Sequence, residues 1–206
     1  MSTQEYAVEQ VHRDDIGTKI GMWLFLYSEL LLFGGLFFMY SVYRFTNQSD
    51  FHIAAKNMNI FIGTFNTIIL LTSSMTIALA IAAMQRGKTK LSIFLQFLTI
   101  ALAIFFLVNK YIEWSHEIAE GNYPGSPTLL AKSHGQILFY GLYYVMTGLH
   151  ALHVIVGATV IGFMTRFSIK GKINDKNYVR LEAAGLYWHL VDIIWIFLFP
   201  LFYLII

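Results

Sequence analysis

Cysteine is absent from the 206 residues, proline occurs three times, and Asp, Glu, Lys and Arg together make up only 13%. Each shortage excludes something. Without Cys there is no disulfide scaffold, no thiolate metal site and no cysteine nucleophile. Soluble globular chains run near a quarter charged, so 26 such side chains (14 basic, 12 acidic) are too few to cover a water-soluble fold of this size. Disorder and coiled coils need more charge than this. What is present is apolar: 57% hydrophobic residues, 17% aromatic, and a mean hydropathy of +0.59. The formal net charge of +2 does not point to nucleic acid, because the charges are segregated along the chain.

The polar stretch 1–18 carries Glu5, Glu9, Asp14 and Asp15 and lacks the basic start and cleavage site of a signal peptide. A domain at 19–206 follows, with apolar runs at 20–43, 58–84, 91–115, 137–164 and 183–206. Each is long enough to cross a hydrocarbon core about 30 Å thick. Backbone groups in lipid must be satisfied internally, and no strand-like alternation is present, so the runs are expected to be helices. The expected fold is an all-α integral membrane bundle of five transmembrane helices. Connections are short; the loop from His116 to Gly135 is stiffened by Pro124, Gly125 and Pro127. Of 14 Lys and Arg, ten fall with the N-terminus and the second and fourth loops, and four (Arg44, Lys56, Lys110, Lys132) fall on the other side. The positive-inside rule then puts the N-terminus in the cytoplasm and the C-terminus outside, with no exported domain after Ile206.

A charge in hydrocarbon costs at least about 3 kcal/mol, so ionisable groups inside the spans face protein, water or headgroups. At about 1.5 Å per residue, Glu29 and Asp192 lie roughly 13 Å from the inner end, His153 roughly 17 Å and His150 roughly 21 Å. His189 lies between Asp192 and the inner end. These five groups are expected to share one layer. Glu113 lies about 33 Å from the inner end and is expected at the outer interface, paired with Lys110 three residues before it. His150 and His153 share a helix face, as do His189 and Asp192. Gly148 and Gly157 flank the first pair and would let another backbone come close.

Three readings of this layer are open. A metal or haem could be held by His150, His153, His189, Asp192 and Glu29. The Glu113-Trp114-Ser115-His116 unit looks like a di-iron ligand pair, but lies about 20 Å from Glu29 along the membrane normal. A transport path is the second reading, though the broken helices and inverted repeat of secondary transporters are missing. In the third, the groups hold helices together or support a partner, since interhelical polar pairs average only about 0.6 kcal/mol. Trp23 and Trp114 fit an aromatic belt, while Trp188 and Trp195 flank His189 and Asp192 and are expected to pack there.

The residues resemble a family. Gly21-Met22-Trp23-Leu24-Phe25-Leu26-Tyr27-Ser28-Glu29 resembles the helix of haem–copper oxidase subunit III that carries a buried glutamate. Asn66-Thr67 with Ser73, and Lys110 to Glu117, are similar to the two helices that follow. The run from Thr147 to Gly157 matches TG-x-H-x-x-HV-x-x-G. The run from Glu182 to Trp195 matches EAA…YWH-x-VD-x-x-W. The first two helices of seven-helix members are missing, so the chain looks like the five-helix bacterial form. That form occurs in cytochrome c oxidases, quinol oxidases and proteins associated with nitric oxide reductase. Quinol-oxidase relatives carry Asp where this chain has Glu29, which favours a cytochrome c oxidase.

The resemblance implies an accessory subunit of a proton-pumping terminal oxidase in the bacterial inner membrane. The chain itself would hold no haem, copper or other metal and do no chemistry; the cofactors would sit in partner subunits. It would pack on subunit I, with subunit II also in the complex, support proton uptake and bind phospholipid. Glu29 would be the buried acid near subunit I. His150, His153, His189, Asp192, Trp188 and Asn66 would form the intramembrane polar network. Arg166 resembles a residue that meets a lipid headgroup, which a guanidinium fork suits.

Overall fold

A computed structural model of the chain describes the backbone over residues 3–205 and side chains over residues 16–205. The described residues are almost wholly helical: α1 Thr3–Thr46, α2 Gln48–Lys56, α3 Ile60–Gln85, α4 Thr89–Ala119, α5 Pro127–Leu130, α6 His134–Ile169 and α7 Val179–Tyr203. Five of them, with α1 counted from Ile16, are long and apolar enough to cross a membrane. The polar stretch at the N-terminus continues the first span as one helix from Thr3; residues 1 and 2 lie outside the described ones. At 44 residues, α1 is about 66 Å long, twice a hydrocarbon core.

Successive spans run in opposite directions. Gly87, at φ 71°, turns α3 into α4, a conformation that favours a residue without Cβ. Direct contacts confirm the alternation: Gln85 Nε2 donates to Glu182 Oε1 (3.0 Å) at one end of the bundle, and the Tyr40 hydroxyl donates to the Leu201 carbonyl at the other. The first end also carries the α3/α4 and α6/α7 connections with their Lys and Arg, and is called here the basic end. Helices α3, α4, α6 and α7 form the core, with α3 packed on α4 and α7, and α6 on α4 and α7. Helix α1 lies on α6 and α7 and buries a narrow stripe, Leu26, Phe33 and Tyr40, at a seven-residue spacing. Two turns of helix separate these residues, so they share one face. Most of the other described side chains of α1, including Trp23, Leu24 and Phe38, are exposed on the isolated chain, while Met22, Leu36 and Phe37 are half-buried against the core.

Two short helices, α2 and α5, lie in the connections between spans. In α2, Phe51, Ala54 and Ala55 occupy one face and are buried, with Phe51 edge-on to Phe139 of α6 (5.5 Å, 87°). In α5, the Ser126 hydroxyl accepts from the Leu129 amide (3.0 Å), and Pro127 opens the turn, where its missing N–H is no loss. The final span ends at Tyr203, three residues before the expected limit.

Glycines shape the helix contacts, in a way different from the expected close backbone approach. A Cβ on Gly157 would meet the Trp188 ring at 2.8 Å and Tyr187 at 3.2 Å, and one on Gly148 would meet Trp114 at 3.2 Å. Both glycines receive an aromatic ring, because α7 and α4 present large side chains at those levels.

Candidate functional site: buried polar groups between the helices

The five groups expected in one layer separate into different environments. Glu29 of α1 and His153 of α6 meet: Oε2 lies 2.8 Å from Nε2, and both side chains are mostly buried, 14% and 12% exposed. His153 Nδ1 lies 2.7 Å from the Leu149 carbonyl. A carbonyl only accepts, so Nδ1 carries a proton and donates it. Nε2 and the carboxylate then need one more proton between them. Either the imidazole is doubly protonated or the carboxyl is neutral. The pair can therefore hold a proton and pass it across 2.8 Å. Phe33 lies edge-on to the His153 ring (5.2 Å) and limits its rotation.

His189 pairs with α3 instead, its Nδ1 lying 2.6 Å from Ser74 Oγ. The neighbouring Trp188 donates Nε1–H to Ser73 Oγ (3.1 Å), and Trp195 donates to Thr67 Oγ1 (3.0 Å), so two indoles stitch α7 to α3. Asn66, one residue before Thr67, accepts from Asn109 Nδ2 of α4 (3.1 Å). Trp188 and Asn66 thus each make a hydrogen bond between two helices.

His150 and Asp192 do not join it. His150 is wholly buried, neither ring nitrogen has a hydrogen-bond partner, and the ring packs between Phe106 (5.7 Å) and Trp195 (5.1 Å). Asp192 is 3% exposed; neither carboxylate oxygen makes a hydrogen bond of ordinary geometry, although Ser74 of α3 lies close enough to act on it. The adjacent Ser74 is engaged with His189. The spacing that placed these residues at one depth did not set the rotation of α6 and α7 about their axes. A buried polar group without a partner destabilises by about 1–3 kcal/mol. Asp192→Leu is therefore expected not to destabilise the folded chain. A loss above about 1 kcal/mol in reversible detergent unfolding would reveal a partner for this carboxylate.

Lys110 and Glu113 pair toward the end of the bundle opposite the basic end, beside the last turn of α7, and are buried there. They are 3% and 4% exposed, deep between α4, α6 and α7. Lys110 Nζ donates to Glu113 Oε1 (3.1 Å), the Tyr143 hydroxyl (2.9 Å) and the Tyr203 hydroxyl (2.7 Å), which uses all three of its hydrogens. Tyr143 donates to Glu113 Oε1 at 2.5 Å, and Tyr203 donates to the same oxygen. Each tyrosine accepts from the lysine and donates to the glutamate. Lys110 therefore drops out of the loop charges, and the ten-to-four asymmetry becomes ten to three. Tyr143 and Tyr203 escaped the sequence reading because they lie 33 and 93 residues from Lys110, on other helices.

Arg166 is exposed in the last turn of α6. Among the described residues, no group of three or more His, Asp or Glu side chains is placed to hold a metal ion.

Helices of membrane-spanning length, a Glu29–His153 proton pair and a buried Lys–Glu–Tyr–Tyr cluster define a polytopic membrane protein built to position buried polar groups. The family model for cytochrome c oxidase subunit III matches residues 3–205, so the chain belongs to the subunit III family of haem–copper oxidases. It is 31% identical over 202 residues to the cytochrome c oxidase subunit 3 of Thermostichus vulcanus, covering 97% of this chain and 92% of that one. It is 32% identical over 195 residues to a heme-copper oxidase subunit I+III of Aeropyrum pernix, where the match covers 91% of this chain but only 22% of the longer relative. A probable quinol oxidase subunit 3 of Staphylococcus saprophyticus is 27% identical over the whole chain and 97% of its own length.

Proposed function

We propose that the chain is the non-redox accessory subunit of a proton-pumping, oxygen-reducing cytochrome c oxidase of aerobic respiration. Haem and copper belong to its partners. The observation that carries this reading is the family match over residues 3–205. Contact with subunit I is supported by the relative named as subunit I+III, in which both subunits share one chain. Subunit II completes the assembly. The basic end faces the cytoplasm of a bacterial inner membrane, supported by the ten basic residues on that side. Glu29 and His153 then lie in the inner half, where a shared proton can serve proton uptake by subunit I. Arg166 holds a phospholipid headgroup at that face.

A quinol oxidase is the second reading, favoured by the full-length match to a relative of that name. Optical spectra of the purified complex separate the two. An a-type band with cytochrome c turnover supports the first reading, and a b-type complex turning over quinol supports the second. Glu29→Gln is expected to leave the haem bands intact and to shorten the enzyme's working life during turnover. Haem retained by the chain after its partners are stripped away would refute the accessory role.

A further inference from the structure

At the end of the bundle opposite the basic end, a cavity of about 680 Å³ opens between the last turns of α1, the start of α2 and the end of α7. Its polar wall includes Arg44, Gln48, Ser49 and His52, and its apolar side is formed by Leu201 and Ile205. Arg44 and His52 make no hydrogen bond or ion pair among the described residues. Asp50, the acid closest in sequence, does not line the cavity. Its side chain lies against Gly135 of α6, where an added Cβ would meet it at 2.6 Å. Among the described residues, the cavity therefore carries the positive charge of Arg44 with no acidic side chain on its wall.

Its level also matters. Arg44 is the first charged residue after the apolar run that ends at Tyr43, which places it at the boundary between hydrocarbon and headgroups. Large apolar side chains stand exposed around the cavity mouth and along the adjoining face, Phe45 at 79% and Phe38 at 72%. An occupant must present an anion to Arg44 and hydrocarbon to these rings. A free anion satisfies only the first demand, and a neutral amphiphile only the second. A guanidinium fork matches two phosphate oxygens, while Gln48 and His52 have donors for the others.

We propose that this cavity binds the phosphodiester headgroup of an anionic glycerophospholipid, gripped by Arg44, with its acyl chains along the outer face of α1. The inference needs only that the chain spans a membrane and is independent of the subunit role and of Arg166.

The test uses the full chain purified from its membrane in mild detergent, with whatever partners it retains, as wild type, Arg44→Gln, Arg44→Lys and Lys56→Gln. Each preparation is delipidated and titrated with phosphatidylglycerol, and bound lipid is counted by native mass spectrometry. Intact-mass peaks confirm in the same spectra that the chain is retained, so loss of the subunit is read separately from loss of lipid. Arg44→Gln is expected to bind one fewer phosphatidylglycerol per copy, or to bind it roughly tenfold more weakly. Arg44→Lys should fall between it and wild type, because it keeps the charge and loses the fork, and Lys56→Gln should match wild type. Equal retention by Arg44→Gln and wild type would overturn the proposal. Displacement of the lipid by millimolar inorganic phosphate would also overturn it, by assigning the site to a free anion. Should Arg44→Gln lose the subunit, His52→Gln must weaken phosphatidylglycerol binding, or the proposal falls.

Discussion

Lys110→Met is expected to lower the unfolding free energy of the chain by about 3 kcal/mol or more, roughly a hundredfold in the folded-to-unfolded ratio. The physical reason is asymmetry. The ammonium satisfies Glu113 Oε1 directly and supplies hydrogen bonds to Tyr143 and Tyr203. Removing it leaves a carboxylate that is 4% exposed with no counter-charge. An uncompensated buried charge destabilises far more than the intact pair stabilises. The double variant Lys110→Met/Glu113→Leu should recover most of the loss, since apolar replacement of both partners is often nearly neutral. Reversible unfolding in mixed detergent micelles measures all three species in one cycle. A single variant as stable as wild type would mean that water or a partner reaches the glutamate.

Gly157→Ala is expected to destabilise by about 1–3 kcal/mol, although alanine is the better helix former. The new methyl would sit 2.8 Å from the Trp188 ring, which is fully buried and tied to Ser73 by its N–H. The ring cannot retreat without breaking that bond. Gly162→Ala, one and a half turns further along the same helix, is the control. Nothing lies within 4 Å of its Cβ, and propensity alone predicts a gain of about 0.5–1 kcal/mol. Opposite signs at two glycines of one helix would locate the packing constraint between α6 and α7. Equal signs would show that the contact is not rigid.

The consequences for function follow from the same packing. Glu29 sits on the helix with the largest exposed apolar face, while its proton partner sits on a core helix. A proton shared between them lies at the seam between α1 and the bundle. That seam also leads to the α1 surface available to lipid or to another subunit.

Much of this was legible in the residues. The apolar runs, the depth match of Glu29 with His153 and the Lys110–Glu113 spacing follow from counting along a helix at a fixed rise; the signature around His189 was legible only as a resemblance to a family. Even α2 was readable, since Phe51, Ala54 and Ala55 fall at helical spacing, but nine mixed residues carry a weak signal. Other features were out of reach. Nothing near Lys110 in the chain announces Tyr143 or Tyr203. Nothing near Asp192 in the chain says that Ser74 sits between it and His189, one turn before, and bonds the histidine at 2.6 Å.

The sequence by itself determined that the chain forms helices long and apolar enough to cross a membrane, and at which level along each helix its ionisable groups stand. Lipid offers no hydrogen bonds, so apolar length dictates the spans, and rise per residue dictates depth. Only the tertiary structure decided which groups meet. Partner choice depends on the rotation of each helix about its axis and on which glycine admits which ring. Those are set by packing among residues far apart in the chain, not by spacing within one helix.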